Sequence, residues 1–353
     1  MSEEYNYIAF PLPLIRRFFT EPSKAAADII DYGIYRAAIG MDIETEAPYR
    51  QLTYEFIRQG AERNFPPSET RSGLVEYKRK NNIPQSIAKR LVKLMDEEGY
   101  IENLDYNGFT PESDFTEFDC KDDIEILMQT ADNDEYFRQD VEEWYRLRQV
   151  QDVIGMTFDV SEHQAIKETY QRIEASFGGK KQVPVSCKTE IIQNVQEHTG
   201  TERDRARLCL YLGIRSLIGR SKIAITTGAT IRGRMFGARN AEELETVLKD
   251  KRLAGIYDKW CTRWQFDNLL FELRFAKMVN KVSFGRNTIV TCELQDDEEF
   301  REAIIRRLNA ASDAENRRKL IERERASREL LREMLTAKYS SLEIPFCEAI
   351  DDG

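Results

Sequence analysis

The sequence predicts a mainly α-helical, multi-domain protein with a small β component. Apolar residues recur at spacings of three and four along much of the chain, which keeps one face of a helix against a core. Runs rich in β-branched and aromatic residues are few and short. The 353 residues, of which 41% are hydrophobic and 32% charged, are sufficient for two or three globular domains.

The N-terminal part begins with an apolar run at 8–20 that contains Pro11 and Pro13. Because proline lacks an N–H group and fixes its backbone, we expect an extended segment here and no regular strand or helix. Three helices are then predicted, over residues 23–39, 51–64 and 87–98. The last of these, with the stretch from residue 70, has a helix-turn-helix-like pattern, for which a plain helical hairpin is the simpler interpretation.

The following segment, residues 96–143, is strongly acidic. It contains 18 Asp and Glu residues against Lys121 and Arg138, a net charge of 2 − 18 = −16. Aromatic residues are interleaved with the acids, which favours a segment that packs at least in part. Two interpretations stay open, namely that the segment covers a basic domain of the same chain or that it binds a basic partner protein.

The middle region is predicted to be helical with one extended stretch. A helix over 134–153 is indicated by core spacing of its apolar residues, and a capping box formed by Ser161 and Gln164 predicts the start of another. Residues 183–185 read as extended, and a further helix is expected over 188–198. The two histidines of the chain, His163 and His198, lie in polar helical sequence and are predicted at the surface.

The next part of the chain alternates between helix and strand signals. Apolar spacing predicts a helix over 203–219 that ends at Gly219, followed by a short strand at 223–226. Two short helices are predicted at 228–239 and 241–249.

A helix and a hairpin complete this region. Thr262 and Gln265 have capping-box spacing, which predicts a helix from there to about Met278. Two short β-branched runs follow, on either side of Gly285-Arg286-Asn287, whose first and last residues tolerate positive φ. A capped helix is therefore expected to lead directly into a β-hairpin.

This order of elements over residues 203–294 resembles the winged-helix domains of bacterial and plasmid replication initiators and related mobile-element proteins. The resemblance rests on element order. It implies a domain that docks a helix in the major groove of DNA and lays its hairpin on the backbone. The expected fold is thus a multi-domain helical protein with a C-terminal winged-helix-like domain.

The distribution of charge agrees with this expectation. The whole chain carries −10, but residues 201–290 have 18 Lys and Arg against 9 Asp and Glu, a local +9, which leaves −19 elsewhere. Cations concentrated on one domain favour contacts with DNA phosphates, and backbone contacts are more strongly indicated than base readout. The predicted DNA-binding residues are Arg232, Arg234, Arg239, Arg263, Lys277, Lys281, Arg286 and Asn287. The alternative is that this basic surface docks on an acidic part of the same chain.

The helix at 262–278 also has a face that is unusual for base recognition. Opposite its core residues lie Trp264, Asn268, Phe271 and Phe275. Three aromatic rings do not form a base-reading surface, for which Arg, Lys, Asn and Gln are typical. Trp264, Phe271 and Phe275 are therefore predicted to bind a partner protein if they are exposed.

Residues 296–338 contain neither glycine nor proline and are predicted to form a long, charged C-terminal helix, or two helices. Its apolar residues are sparse, and such a helix requires a partner surface to be stable. Homo-oligomerisation, or binding of a protein partner, is therefore expected through this helix. The chain accordingly divides into four segments: 1–110, 111–200, 201–295 and 296–353.

Several classes of function are not supported by the sequence. The chain contains no hydrolase, metalloprotease or P-loop motif, and its cysteines form no CxxC pair, so we expect neither an enzyme nor a cofactor nor a bound metal. An enzyme that uses carboxylates alone stays an open alternative. No run is long enough to cross a membrane, and no signal peptide is recognised, so a cytoplasmic protein is expected. The sequence thus favours a non-enzymatic DNA-binding or replication-type accessory protein, with a protein-interaction or assembly subunit as the alternative.

Overall fold

The computed structural model describes residues 7–44, 48, 52, 83–97, 129, 133–198, 200–219, 221–284, 287–308 and 321–327. These residues are mainly helical and include two small antiparallel sheets, which confirms the expected fold class at this level. Apart from Leu52, the helix predicted over 51–64 lies outside the described residues, as do the helix-turn-helix-like stretch from residue 70 up to residue 82, most of the acidic segment, and Arg286.

The chain divides into two compact units. The first unit consists of Met1–Gly33 together with Glu174–Gly353, and the second unit is Ile34–Ile173. The start of the chain therefore belongs with its second half, a grouping that consecutive sequence segments did not anticipate.

The first unit begins with β1, Tyr7–Pro11, which pairs antiparallel with β2, Pro184–Lys188. A 3₁₀ helix, Leu12–Phe19, follows directly. The expectation that the two prolines prevent regular structure here is therefore wrong. Pro11 is the last residue of its strand, and Pro13 lies in the first turn of the 3₁₀ helix, where a missing N–H group has no helical acceptor to lose.

Most of the described residues are helical, and in the first unit several helices surround one central helix, Glu202–Ile218. Within the part of the chain that the structure describes, the helices with defined ends are, in chain order, α1 (Pro22–Ile39), α2 (Gln85–Glu97), α3 (Glu135–Ile154), α4 (His163–Ser176), α5 (Thr189–Glu197), α6 (Glu202–Ile218), α7 (Gly228–Met235), α8 (Ala241–Val247), α9 (Lys251–Trp260), α10 (Arg263–Phe275) and α11 (Asp297–Leu308). The boundary between the units falls within α1 and again within α4. Residues 321–327 are also helical.

Helix α6 is buried on nearly all sides. Its residues from Ala206 to Ser216 are all buried, and it contacts β2, the 3₁₀ helix, α7, α10 and the second sheet. A capping box between Thr201 and Asp204 begins the helix, and Gly219, at φ 55°, ends it. Burial on all sides is typical of a helix at the centre of a core, although α6 also buries Arg207 and Arg215. The first unit is therefore built around α6.

The helices after α6 begin at polar caps. Thr262 accepts a hydrogen bond from the backbone N–H of Gln265 at 3.4 Å, so α10 begins where the sequence predicted, although it ends at Phe275 and not at Met278. Helix α9 was not predicted. The sequence signal for the start of this helix was Asp250, whose carboxylate accepts hydrogen bonds from the backbone N–H groups of Arg252 and Leu253.

The second sheet has the strand order β3–β5–β4 and is antiparallel throughout. Its strands are β3 (Ala224–Thr226), β4 (Asn280–Phe284) and β5 (Asn287–Thr291), so the predicted short strand and hairpin are both confirmed. Phe300 and Ile304 of α11 pack with apolar residues of the sheet region in one buried cluster. This packing holds α11 against the hairpin.

The second unit contains α2 and α3. Helix α3 begins at Asp134, whose carboxylate accepts from the backbone N–H of Phe137, and it ends at Gly155 with φ 63°. The residues predicted at core spacing are all buried, namely Phe137, Val141, Trp144, Leu147 and Val150. The periodicity of this segment therefore predicted its buried face correctly.

Two predictions for the start of α4 are wrong. Ser161 is not a helix cap, because a 3₁₀ turn, Val160–Glu162, precedes the helix and Asp159 accepts from the backbone N–H of Ser161. His163 is not at the surface, since only 1% of it is exposed. It shares the buried face of α4 with Ile166, one turn further on. His198, in contrast, is exposed.

The thiols of Cys187, Cys209, Cys261 and Cys292 are free. Burial raises the pKa of Cys187 to about 12, although the charge of Arg215 acts in the opposite direction. Among the described residues, no helix is both long and apolar enough to cross a lipid bilayer.

The packing of α6 against α7 can be tested at Gly213, with Gly255 of α9 as the comparison. A Cβ atom on Gly213 of α6 would lie 2.8 Å from the backbone nitrogen of Met235, whereas a Cβ on Gly255 of α9 meets nothing within 4 Å. We expect Gly213→Ala to lower the free energy of unfolding by about 1–3 kcal/mol, because backbone has to move. Gly255→Ala is expected to raise it by about 0.5–1 kcal/mol through helix propensity. Urea unfolding of the two variants measures both, and an unchanged or higher free energy of unfolding in Gly213→Ala would contradict the close packing.

The cap of α6 predicts a dependence of stability on pH. Burial raises the pKa of Asp204, but hydrogen bonds from Thr201 and the charge of Arg207 outweigh it, so the net shift is downward. A carboxyl group with a lowered folded-state pKa stabilises the fold above its unfolded pKa of about 3.9, and this contribution is lost as the pH falls through the folded value. Asp204→Asn should therefore lower the free energy of unfolding at pH 7, and its difference from the wild type should shrink below about pH 4.

Urea unfolding of the wild type and of Asp204→Asn, at pH 7 and again below about pH 4, measures this difference in the free energy of unfolding. Asp258→Asn, at an exposed position of α9, is the matched control and should change little at either pH. A deficit of Asp204→Asn that is the same at both pH values would contradict the prediction.

Candidate functional site

A cleft of about 550 Å³ lies between the N-terminal ends of α7 and α10 and the β4–β5 hairpin. It brings together three of the predicted DNA-binding residues, Arg232, Arg263 and Lys281. Each comes from a different element, so the folded chain assembles a cationic site that is dispersed in the sequence. The apolar part of the lining is formed by Ile231, Phe266 and Leu270.

Arg232 extends from α7 across the cleft wall. Its guanidinium carbon lies 4.7 Å from the centroid of the Phe266 ring, which orients the planar group. Its Nε atom is buried and has no hydrogen-bond partner. A buried donor without an acceptor costs roughly 1–3 kcal/mol, and the residue that bears this donor lines the cleft.

Arg263 is the first residue of α10 and is exposed. A cation at a helix N-terminus faces the positive end of the helix dipole, which disfavours it by about 0.3–1 kcal/mol. The first turn of α10 contains no acidic residue that would offset this charge. An arginine at this position therefore weakens its own helix, and an anion bound in the cleft would compensate for it.

Lys281 projects from β4 and is mostly buried. Its Nζ atom lies 4.0 Å from the Asp267 carboxylate and 5.7 Å from the centroid of the Phe271 ring. Burial lowers its pKa, Asp267 raises it and Arg274 lowers it further. The charged form of a partly desolvated ammonium group, whose carboxylate partner is 4.0 Å away, is stabilised by a second anion.

Neutral donors complete the cleft. Gly228, the first residue of α7, lines it, and Thr227 caps this helix by accepting from the backbone N–H of Thr230. Ser283 and Thr288 lie opposite each other across β4 and β5 and contribute two hydroxyl groups. Sequence reasoning missed these residues. The available signal was the threonine cap before Gly228, which marks a helix N-terminus.

The arrangement as a whole suits an oxyanion. Two helix N-termini, two guanidinium groups, one ammonium and two hydroxyl groups meet in a cleft with Asp267 as the carboxylate in its lining. Helix N-termini offer unpaired N–H groups and a favourable dipole to phosphate, and arginine binds phosphate in a bidentate manner. The chemistry of the cleft therefore matches binding of a phosphate group.

Two of the predicted arginines lie elsewhere. Arg239 is held by Glu243 of α8, with its Nε atom 2.6 Å and its backbone nitrogen 2.8 Å from the carboxylate oxygens. Arg234 is half-buried, and burial lowers its pKa while Glu243 acts in the opposite direction. Neither residue lines the cleft.

The remaining predicted contacts lie near the ends of α10 and of the hairpin. Lys277 is exposed just after α10, with φ 57°, and Asn287 is exposed at the start of β5. They also do not line the cleft, and Arg286 lies outside the described residues.

The aromatic face predicted on α10 is only partly exposed. Trp264 is 65% exposed, whereas Phe271 and Phe275 are half-buried and Asn268 is 9% exposed. The hairpin that follows α10 returns along this face, so that Lys281 lies over the Phe271 ring. Helical periodicity could not predict this cover, because it depends on a tertiary contact.

Another cleft, of about 590 Å³, lies along one side of α11. Its lining contains Lys222, Arg306 and Arg307 together with Glu299 and Glu302, and Arg306 lies 3.3 Å from Glu302. Cations that are partly neutralised by carboxylates nearby form a weaker anion site. The cleft at α7 and α10 is therefore the better candidate.

Comparison with known proteins adds no assignment to this site, since no protein-family model, no curated protein and no solved structure matches the chain.

Proposed function

We propose that this protein binds DNA, without catalysing a reaction on it, by seating a backbone phosphate in the cleft between α7, α10 and the β4–β5 hairpin. The observation that carries the proposal is the convergence of Arg232, Arg263 and Lys281 on one cleft at two helix N-termini. The phosphate is the group that this set of donors fits best.

The local charge makes the approach of DNA favourable despite the acidic chain. The region from residue 201 to 290 carries +9 within a protein of −10, so a phosphate polyanion meets an attractive field at the cleft. Phosphate contacts supply most of the salt-dependent affinity for DNA and also position a protein on the duplex. Binding is therefore expected to depend strongly on salt.

The arrangement of elements supports a winged-helix-like mode of docking. Helices α6, α7 and α10, the strand β3 and the β4–β5 hairpin follow one another as in such domains, with α8 and α9 inserted. In this mode α10 approaches the duplex with Arg263 and Trp264 at its leading end. Asp267, one turn further along, repels phosphates, so α10 contacts the backbone and does not read bases deep in the groove. The replication or mobile-element setting is part of the proposal and follows from the winged-helix resemblance.

Trp264 favours a second candidate function. An exposed indole next to a cationic cleft is also typical of a surface that binds another protein, because tryptophan and arginine are enriched in interface centres. In that case the chain acts as an assembly subunit and binds the partner through Trp264 and Arg263. A photo-crosslinking amino acid at position 264 would then capture a protein in cells, and purified protein would bind no duplex.

DNA binding is tested with full-length protein and a labelled duplex of about 30 base pairs, roughly three helical turns. Fluorescence anisotropy between about 50 and 200 mM salt gives the affinity and its salt slope. We expect Arg263→Gln and Lys281→Gln each to weaken binding roughly three- to tenfold and to reduce the slope by about 1, because each removes one phosphate contact.

Arg252→Gln is the matched control. It makes the same change of charge at an exposed position of α9 that does not line the cleft, and it should leave affinity and slope nearly unchanged. No duplex binding at the lowest salt would refute the proposal. An equal loss in Arg252→Gln would mean that general positive charge, and not this cleft, binds DNA.

A further inference from the structure

A second cluster of polar groups lies in the second unit, and its histidine is buried while its two carboxylates are half-buried. Asp140 and Glu143 are three residues apart on α3, which places both carboxylates on one face of that helix. His163 begins α4 against the same face. One nitrogen of His163 and one oxygen of each carboxylate all lie within 4.8 Å of one another.

His163 lacks a partner for one of its ring nitrogens. The residue is 1% exposed, and its Nδ1 atom is buried without a hydrogen bond. Burial lowers its pKa, Asp140 and Glu143 raise it, and Lys167 lowers it again, with a net downward shift. The downward shift favours the neutral imidazole, which is the form that ligates a metal ion.

We propose that Asp140, Glu143 and His163 bind one divalent transition-metal ion of the zinc class, with water at the remaining position. One imidazole nitrogen and two carboxylate oxygens are ligands that zinc accepts in open, four-coordinate sites. Ligand atoms around a tetrahedral ion with bonds of about 2.0–2.1 Å are about 3.4 Å apart. Small side-chain rotations bring the three groups from within 4.8 Å to that separation.

The surroundings of Glu143 support a built site and also predict a competitor. Tyr35 donates a hydrogen bond to Glu143 Oε1 at 3.3 Å, and burial raises the pKa of this tyrosine, so it remains a donor. Such a bond to a ligand carboxylate fixes its orientation. Lys167 Nζ donates to both oxygens of Glu143, at 2.9 and 2.8 Å. A bound cation must therefore displace or repel this ammonium.

The cysteine spacing that argued against zinc in the sequence bears only on thiolate sites. A site of two carboxylates and one histidine, carried by two helices, has no local motif. Its sequence signal is limited to the i, i+3 pair of acids on an otherwise amphipathic helix, and this pair is common. The tertiary contact between α3 and α4 is what completes the cluster.

The test uses full-length protein from which metal has been removed by chelation. Titration calorimetry with Zn²⁺ measures the affinity and the number of ions bound. Visible absorption spectra with Co²⁺ report the ligands of the bound ion. We expect one Zn²⁺ per chain in the wild type. His163→Ala and Glu143→Gln should each weaken binding roughly tenfold or more, since each removes a ligand. Lys167→Met should bind Zn²⁺ more tightly, because the competing ammonium is gone.

His198→Ala is the matched control, since it removes the only other histidine of the chain, which is exposed, and should bind as the wild type does. The absence of thiolate charge-transfer bands in the Co²⁺ spectrum excludes binding by cysteines. If His163→Ala does not fold, Glu143→Gln and Asp140→Asn, which keep the side-chain size, decide the outcome. Failure of the wild type to bind Zn²⁺, or unchanged affinity in the ligand variants, would overturn the proposal.

Discussion

The burial of α6 on nearly all sides is the constraint on which the rest of the first unit depends. A helix without a solvent face needs neighbours that approach closely, and at Gly213 the backbone of α7 comes within the space that a Cβ atom would occupy. This contact fixes where α7 lies, and therefore where its N-terminus and Arg232 meet the cleft. Because packed interiors tolerate little change of volume, the position of the candidate site depends on a residue that does not touch it.

A buried carboxylate connects α6 to α10 in a comparable way. Glu272 of α10 is 1% exposed and accepts a hydrogen bond from Arg203 Nε at 3.1 Å, while Arg207 Nε lies 3.7 Å away. Buried ion pairs often contribute little net stability, since desolvation of both charges is expensive. They are nevertheless sensitive to geometry, so this cluster selects one rotation of α10 about its axis. That rotation places Arg263 at the cleft and turns Asn268 inward.

The parts of the fold that were predictable are those with local causes. The buried face of α3, the cap of α10 at Thr262 and the β4–β5 hairpin all follow from spacing or turn chemistry within a few residues. What could not be predicted depends on contacts between distant segments. The strand β1 pairs with β2 far along the chain, and His163 is buried although its sequence neighbours are polar. In the same way, eight candidate DNA contacts could be named, seven of them by charge and Asn287 by its place in the hairpin. Only the folded chain separates the three in the cleft from Arg239, which Glu243 holds.

The two proposed sites share one physical feature, a buried polar nitrogen for which the chain supplies no hydrogen bond. Arg232 Nε belongs to a residue that lines a cleft with other cations, and His163 Nδ1 belongs to a residue clustered with carboxylates. An unpaired buried nitrogen alone does not indicate a site, as Arg207 shows: its Nε also lacks a hydrogen bond, but the charges of Asp204 and Glu272 surround it. The surroundings therefore decide what each nitrogen indicates. Excess positive charge at Arg232 favours an anion, and excess negative charge at His163 favours a cation.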